Sequence, residues 1–286
     1  MSEKIYFTAE IYGMCGGVHA ALKTLEEQIS SSQESVFVFH ELVHNRFVTA
    51  SFRERGVVFA ENIEDIPNGA TLIIGAHGTA PDVEAALRRK AGRCIDATCP
   101  LVKKLHHIAA ALDKEDELII FGKAGHPEVN GVAGHSRAGK LFLISSPDDA
   151  RALPDMVNPV FISQTTVDHE EVTAALQNLK KRFPRLRESS NICDASRKRQ
   201  HAVIKLAQKC DAVIVIGSNH SSNAKRLQEI ARRNGTQAFL IDNAADLDNS
   251  MLNFSKIGIT SGASTPQYLF DEVISAIESH GFIPGN

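Results

Sequence analysis

Asp96-Ala97-Thr98-Cys99-Pro100-Leu101-Val102 is the stretch from which the fold can be read. The alternating run Cys94-Ile95-Asp96-Ala97-Thr98 leads into it as a strand. Pro100 then stands where a helix tolerates proline best, at the first helical position. Leu101, Val102, Leu105, Ile108 and Leu112 follow at spacings of three and four, the period of a helix with one apolar face. Cys99 therefore sits at a strand-to-helix joint. The N–H groups and partial positive charge of a helix start favour thiolate over thiol. Taken alone, the stretch equally describes a small buried cysteine closing a helix end.

Two more cysteines repeat this setting. Cys15 lies in Tyr12-Gly13-Met14-Cys15-Gly16-Gly17-Val18-His19, ahead of a helical pattern at Val18, Ala21, Leu22, Leu25 and Ile29. Cys193 lies in Asn191-Ile192-Cys193-Asp194-Ala195-Ser196, ahead of another at Val203, Ile204, Leu206 and Ala207. The intervals are 84 residues from Cys15 to Cys99, 94 from Cys99 to Cys193, and 93 from Cys193 to the last residue. One such cysteine per third of the chain predicts three related units, at 14–97, 98–191 and 192–286. The strand within 1–13 is expected to pack with the third. Three thiolates can hold a cluster or a metal ion with one position left open.

A chain of 286 residues, 43% of them hydrophobic, can bury a full core. A net charge of −3 supplies no global field for nucleic acid. Five cysteines in a chain too long to need disulfide staples favour a reducing compartment. The start, Met1 to Thr8, runs straight into a strand without a basic segment and apolar run, so no signal peptide is expected. No apolar run approaches the ~18 residues that span a membrane. The expectation is a soluble cytoplasmic protein.

Six apolar runs read as buried parallel strands, each ending in a polar loop. Ser35–Phe39 leads to His40-Glu41-Leu42-Val43-His44-Asn45, and Thr71–Ala76 leads to His77-Gly78-Thr79. Glu117–Gly122 leads to Gly125-His126-Pro127-Glu128, and Pro159–Ser163 leads to Gln164-Thr165-Thr166. Asp211–Ile216 leads to Gly217 through Asn223, and Lys256–Thr260 leads to Ser261-Gly262-Ala263-Ser264-Thr265. Pro81, Pro127 and Pro266 fall at or near first helical turns, and Asp168 with Glu171 forms a capping-box pattern. Alternation of strand, loop and helix throughout gives an α/β class with mainly parallel sheets. Ligands of such sheets bind beyond the carboxyl ends of the strands.

Those ends carry His44, His77, His126, Glu128, Thr165, Thr166, Ser221, Ser222, Asn223 and Ser264. Each has an ordinary structural use: a histidine ending a strand as a hydrogen-bonder, a hydroxyl or amide as a helix cap. Together, neutral donors beside helix N-termini make an anion site. Hydrogen bonds to a charged group contribute roughly 1.5–3 kcal/mol each. A handful reaches ~8 kcal/mol, about micromolar affinity for a diphosphate. None of the six ends supplies a lysine or arginine, which suits a small phosphorylated substrate. There is no Walker motif and no G-x-G-x-x-G after a strand.

Cys94 and Cys99 are spaced almost as a zinc pair, but Cys94 lies within the alternating strand and lacks a second pair. Cys210 closes a helix before a buried strand and reads as core. Three distant cysteines fit an iron–sulfur cubane with one iron lacking a protein ligand. A nucleophilic cysteine served by His44 or His77 is the other chemistry this set allows.

Gly13-Met14-Cys15-Gly16-Gly17-Val18, Val43-His44-Asn45, Ala76-His77-Gly78, Asp96 to Val102, Gly125-His126-Pro127-Glu128-Val129, Gln164-Thr165-Thr166, Ser221-Ser222-Asn223 and Gly262-Ala263-Ser264 together resemble the 4-hydroxy-3-methylbut-2-enyl diphosphate reductase family. The resemblance runs from about Tyr12 to the last helix, in order and spacing. It implies a trefoil of three pseudo-threefold-related α/β units around one central [4Fe-4S] cluster per chain, held by Cys15, Cys99 and Cys193. It implies diphosphate binding by His44, His77, His126, Ser221, Ser222, Asn223 and Ser264, with Glu128 as proton donor and Thr165 in the same relay. It implies two electrons from ferredoxin or flavodoxin, release of isopentenyl and dimethylallyl diphosphate, and a monomer. Lys198 stands where the family tends to have asparagine, and His220 where a smaller or amide residue is expected. The basic runs Arg197-Lys198-Arg199 and Lys180-Lys181-Arg182 read as solvated surface, or as a docking patch for an acidic electron donor. The competing readings are a quinolinate-synthase-like cluster enzyme and a metal-binding redox sensor without turnover.

Overall fold

The computed structural model describes residues 3–32, 34–189 and 192–285; Asn191, which opens the Cys193 stretch, lies outside them. In chain order the strands are β1 (Lys4–Thr8), β2 (Val36–Phe39), β3 (Val58–Ala60), β4 (Thr71–Ile74), β5 (Arg93–Asp96), β6 (Glu117–Phe121), β7 (Lys140–Ile144), β8 (Pro159–Ser163), β9 (Arg187–Ser189), β10 (Ala212–Ile216), β11 (Gln237–Ile241), β12 (Lys256–Ser261) and β13 (Phe282–Pro284). The α-helices are α1 (Gly16–Ser31), α2 (Arg46–Glu54), α3 (Pro81–Lys90), α4 (Pro100–Ala110), α5 (Pro127–His135), α6 (Asp149–Ala152), α7 (His169–Arg182), α8 (Asp194–Lys209), α9 (Ser222–Arg233), α10 (Asn249–Leu252) and α11 (Gln267–Ser279).

The strands form three parallel sheets, ordered β3-β2-β4-β5, β7-β6-β8-β9 and β11-β10-β12-β1-β13. The same order appears three times. The first strand of each set has its successor on one side and its third strand on the other, with a fourth beyond. In the last set β1, from the opposite end of the chain, fills the fourth place and β13 is added outside it. The class is α/β.

By packing, the chain divides into two units: the described residues of 1–16, 44–48 and 194–286 form one, those of 17–43 and 49–193 the other. In the first, the β10–β12 sheet is covered on both faces. Ile214, Ile257 and Ile259 pack under Leu269, Phe270 and Val273 of α11, while Val213 and Val215 pack under Val203, Leu206 and Leu227 of α8 and α9. The second unit holds the other two sheets. Leu72 and Ile74 of β4 meet Leu87 of α3; Leu118 and Ile162 meet Leu105 of α4 and Val132 of α5; Ile119 and Phe161 meet Val172 and Leu179 of α7. Burial on both sides is why these central strands read as continuous apolar runs.

All six predicted apolar runs are strands. The edge strands β3, β7, β9, β11 and β13 were not predicted: β3, β9 and β13 have three residues each, β7 is largely exposed, and β11 is only partly buried; β9 is Arg187-Glu188-Ser189. The run Cys94–Thr98 is a strand only to Asp96, because Asp96 Oδ1 accepts the Thr98 N–H at 2.9 Å and turns the chain out of the ladder. Pro81, Pro100 and Pro127 begin their helices, and Pro266 is the residue before α11. Asp168 Oδ1 caps α7 by accepting N–H bonds from Glu170 and Glu171, at 2.8 and 3.2 Å.

Candidate active site

Each cysteine of the predicted set precedes a helix: Cys15 before α1, Cys99 as the N-cap of α4, Cys193 before α8. One lacing recurs at all three. Cys15 N–H donates to Ala263 O at 3.0 Å, Cys99 N–H to Ala76 O at 3.0 Å, and Cys193 N–H to Thr165 O at 3.1 Å. Each acceptor lies two residues beyond the third strand of its sheet, β12, β4 or β8. All three thiols are half-buried and unbridged. The other two cysteines differ. Burial pushes the Cys94 thiol above its ordinary range and the Cys210 thiol up to about 11, which holds both protonated.

In the second unit, His77 and His126 meet edge to face with ring centroids 5.5 Å apart. His126 is the N-cap of α5, and its Nδ1 accepts the Glu128 N–H at 3.2 Å. The neutral ring therefore carries its hydrogen on Nε2, as a donor. Glu128 is 1% exposed. Its Oε1 accepts the Thr165 N–H at 2.6 Å and its Oε2 the Thr165 hydroxyl at 2.9 Å. Burial pushes the carboxyl up to about 7, against the lowering pull of the two Thr165 bonds. Gln164 fixes this loop: its Oε1 accepts the Lys123 N–H at 3.0 Å and its Nε2 donates to Thr166 Oγ1 at 2.9 Å. Lys123 corrects the expectation of strand ends without cations, for it stands exposed just past β6.

In the first unit, Ser264 Oγ donates to His44 O at 2.9 Å, linking the β12 end to the segment entering α2. Asn45 Oδ1 accepts from Phe47 and Val48 N–H at 3.0 and 3.1 Å and so starts α2 directly after His44. Ser221 caps α9, its Oγ accepting the Ala224 N–H at 3.3 Å, with Ser222 as first helical residue. Asn223 is buried, and its Nδ2 has no hydrogen-bond partner among the described residues. An unmet buried donor at a helix start is an energetic cost that an anionic ligand would relieve.

Two features escaped the sequence reading. His106 of α4 is buried, stacked on His135 at a centroid distance of 4.0 Å, and its Nε2 has no partner among the described residues. Burial first, then the His135 ring, pushes it down to about 4. It wedges against the loop after His77 and against α5: a Cβ at Gly78 would lie 2.6 Å from His106 Cε1, and one at Gly131 2.8 Å from its Nε2. The second feature is Arg199. The expected basic patch at 197–199 does not form, because Arg199 falls on the buried stripe of α8 with Ser196 and Val203 and is 2% exposed. Arg197 and Lys198 face outward, and both pair with Asp194. Lys180 and Arg182 of the other run pair with Glu188 and Asp155.

The profile of the LytB protein family matches residues 7–278. The chain is 42% identical over 280 residues to 4-hydroxy-3-methylbut-2-enyl diphosphate reductase of Yersinia enterocolitica, covering 95% of this chain and 88% of the relative. It is 40% identical over 279 residues to the reductase of that name from Methylococcus capsulatus, covering 94% and 88%. Among solved structures, it is similar to the E-1-hydroxy-2-methyl-but-2-enyl-4-diphosphate reductase of Plasmodium falciparum, with a TM-score of 0.92, 32% identity and coverage of 99% and 92%. A second similar structure is that of (E)-4-hydroxy-3-methyl-but-2-enyl diphosphate reductase, the terminal enzyme of the non-mevalonate pathway. Its TM-score is 0.68 at 30% identity, with coverage of 98% and 100%.

Proposed function

The chain belongs to the LytB protein family, and from that premise we propose that it reduces (E)-4-hydroxy-3-methylbut-2-enyl diphosphate to isopentenyl and dimethylallyl diphosphate, the last step of the non-mevalonate route. The reaction takes two electrons and two protons. The C–O bond of the hydroxymethyl group breaks, the oxygen leaves as water, and a C–H bond forms. The observation that carries the reading is Glu128, a buried carboxyl whose pKa, raised to about 7, keeps a proton available near neutrality.

Family membership implies a metal cofactor. We assign it as one [4Fe-4S] cluster held by Cys15, Cys99 and Cys193. The donor set suits it: three half-buried thiols, each beside a helix N-terminus and each laced to a strand end. Such a cluster, when bound, supplies single electrons and a Lewis-acidic iron without a fourth protein ligand.

The chain's own residues do the rest. Glu128 delivers a proton to the departing oxygen or to the allylic carbon. The Thr165 N–H and hydroxyl fix both carboxyl oxygens and so aim that proton. His126 offers its Nε2 hydrogen to a phosphate oxygen while its Nδ1 holds the Glu128 backbone, which couples substrate binding to placement of the acid. Asn223 Nδ2 supplies a buried donor, and His44, His77, Ser221, Ser222 and Ser264 complete the diphosphate set. Neutral donors suit this substrate, because they bind the anion without pairing away the Glu128 proton.

The electron donor in this reading is a ferredoxin or flavodoxin, and the enzyme is a cytoplasmic monomer. The units in this reading are repeats at 14–97, 98–191 and 192–286, with the strand within 1–13 joined to the third. No helix among the described residues is long and apolar enough to cross a membrane. The quinolinate-synthase-like and redox-sensor readings find no support in the family match. An anaerobic assay with the hydroxylated diphosphate and a reduced viologen dye tests the function: five-carbon diphosphates are expected, and cluster-loaded protein that leaves the substrate intact would refute it.

A further inference from the structure

We propose that Arg199 is a positioning residue for the cysteine loop at 13–15 and that its buried charge tunes the metal centre. The inference rests on the cluster assignment above. Arg199 lies on α8, the helix that follows Cys193, yet it reaches the loop of Cys15. Its Nη2 donates to Gly13 O at 2.6 Å and its Nη1 to Ala195 O at 3.0 Å, in the first turn of α8. The guanidinium is thus a staple between the Cys15 loop and the helix start next to Cys193.

The loop needs a staple. Gly13 has φ +74, a left-handed conformation that a side chain would strain, so the backbone there does not hold its shape by preference. Among the described residues, three bonds from outside the loop hold residues 13–15. Ser261 Oγ accepts the Gly13 N–H at 2.7 Å and Ala263 O accepts the Cys15 N–H at 3.0 Å, both from the end of β12. The third, to Gly13 O, comes from Arg199 alone. It is the one of the three that ties the loop to α8, and it is charge-assisted.

The guanidinium is 2% exposed and bonds Gly13 O, two residues from Cys15, so its charge acts there with little screening by water. Three thiolates around an iron–sulfur core make an anionic group, and each added electron makes it more negative. A fixed positive charge therefore favours the reduced form and raises the potential. A five-donor fork does both tasks, bonding two carbonyls while it carries the charge; lysine keeps the charge and loses the fork.

The test compares wild type, Arg199→Lys and Arg199→Met, all purified anaerobically. It reads the midpoint potential by EPR-monitored titration, the rate of iron loss to a chelator, and the melting temperature of the iron-free chain. Arg199→Met should lower the potential and speed iron loss about tenfold, the worth of one charge-assisted bond. Arg199→Lys should keep the wild-type potential while losing iron faster, a split that loss of packing alone would not produce. If Arg199→Met does not fold, the lysine variant decides: iron loss at the wild-type rate overturns the positioning role. An unchanged potential in Arg199→Met overturns the electrostatic role. A wild-type chain that binds no cluster overturns the cluster assignment, and this inference with it; a wild type that binds it normally leaves failure to this inference alone.

Discussion

At the scale of single residues, chemistry follows from what burial does to titrating groups. Glu128 is buried and its carboxyl is raised to about 7 from an ordinary 4.5. As the acid it works only while protonated, so turnover should fall as pH rises through about 7. Glu128→Gln should cut the rate by roughly 10²–10⁴ while substrate still binds; a variant with wild-type rate would remove Glu128 from the acid role. A raised carboxyl also stabilises the fold only while protonated. That contribution is whole below about 4.5 and disappears as pH rises through about 7. Urea titrations of iron-free protein should therefore show Glu128→Gln gaining on wild type between these values. His106 has the opposite sign. Its imidazole is held neutral down to about 4, so its contribution is whole above about 6.5 and is lost as pH falls from there toward about 4. The loss is on the order of 3 kcal/mol, and His106→Gln should flatten that part of the stability profile. An unchanged slope would mean that the ring is not desolvated. The His106 shift was not legible in the sequence, since the residue sits between Leu105 and His107 with nothing to mark it as enclosed.

At the scale of elements, the sequence was most readable where both faces of a strand are covered. β6, β8 and β10 are buried at every residue, so their composition carries the assignment without help from neighbours. Edge strands take their conformation from the ladder beside them. β9 is built from Arg187, Glu188 and Ser189, and its partner β8 rather than its own propensity makes it a strand. Helix starts were readable for a local reason: a cap and its N–H partners are three residues apart at most. Asp168→Ala should destabilise the unit that contains α7 by about 1 kcal/mol through the two lost N–H bonds, and a melting temperature equal to wild type would refute the cap's weight. Arg199 was misread at this same scale. A run of three basic residues suggested surface, yet helical rotation places its third member on the buried stripe while the first two pair with Asp194.

At the scale of the whole molecule, a single local arrangement is used three times. Cys15, Cys99 and Cys193 each follow a strand, precede a helix, and bond through their N–H to a carbonyl two residues past a central strand. The helix starts stand in the sequence for all three and the preceding strand for Cys15 and Cys99, whereas β9 before Cys193 and the long-range N–H bonds appear only in the fold. Replacing any one of the three by serine should sharply reduce iron and sulfide content, whereas Cys94→Ser and Cys210→Ser should leave it near wild type; equal losses at all five would contradict the assignment. The central claim is that these thiols and the donors at the strand ends serve one reductive step on an allylic diphosphate. Its most direct test is to incubate the anaerobically purified chain with 4-hydroxy-3-methylbut-2-enyl diphosphate and a reduced dye, and to measure the five-carbon diphosphates formed. Isopentenyl and dimethylallyl diphosphate should accumulate as the dye is oxidised; fully loaded protein that leaves dye and substrate unchanged would contradict the account.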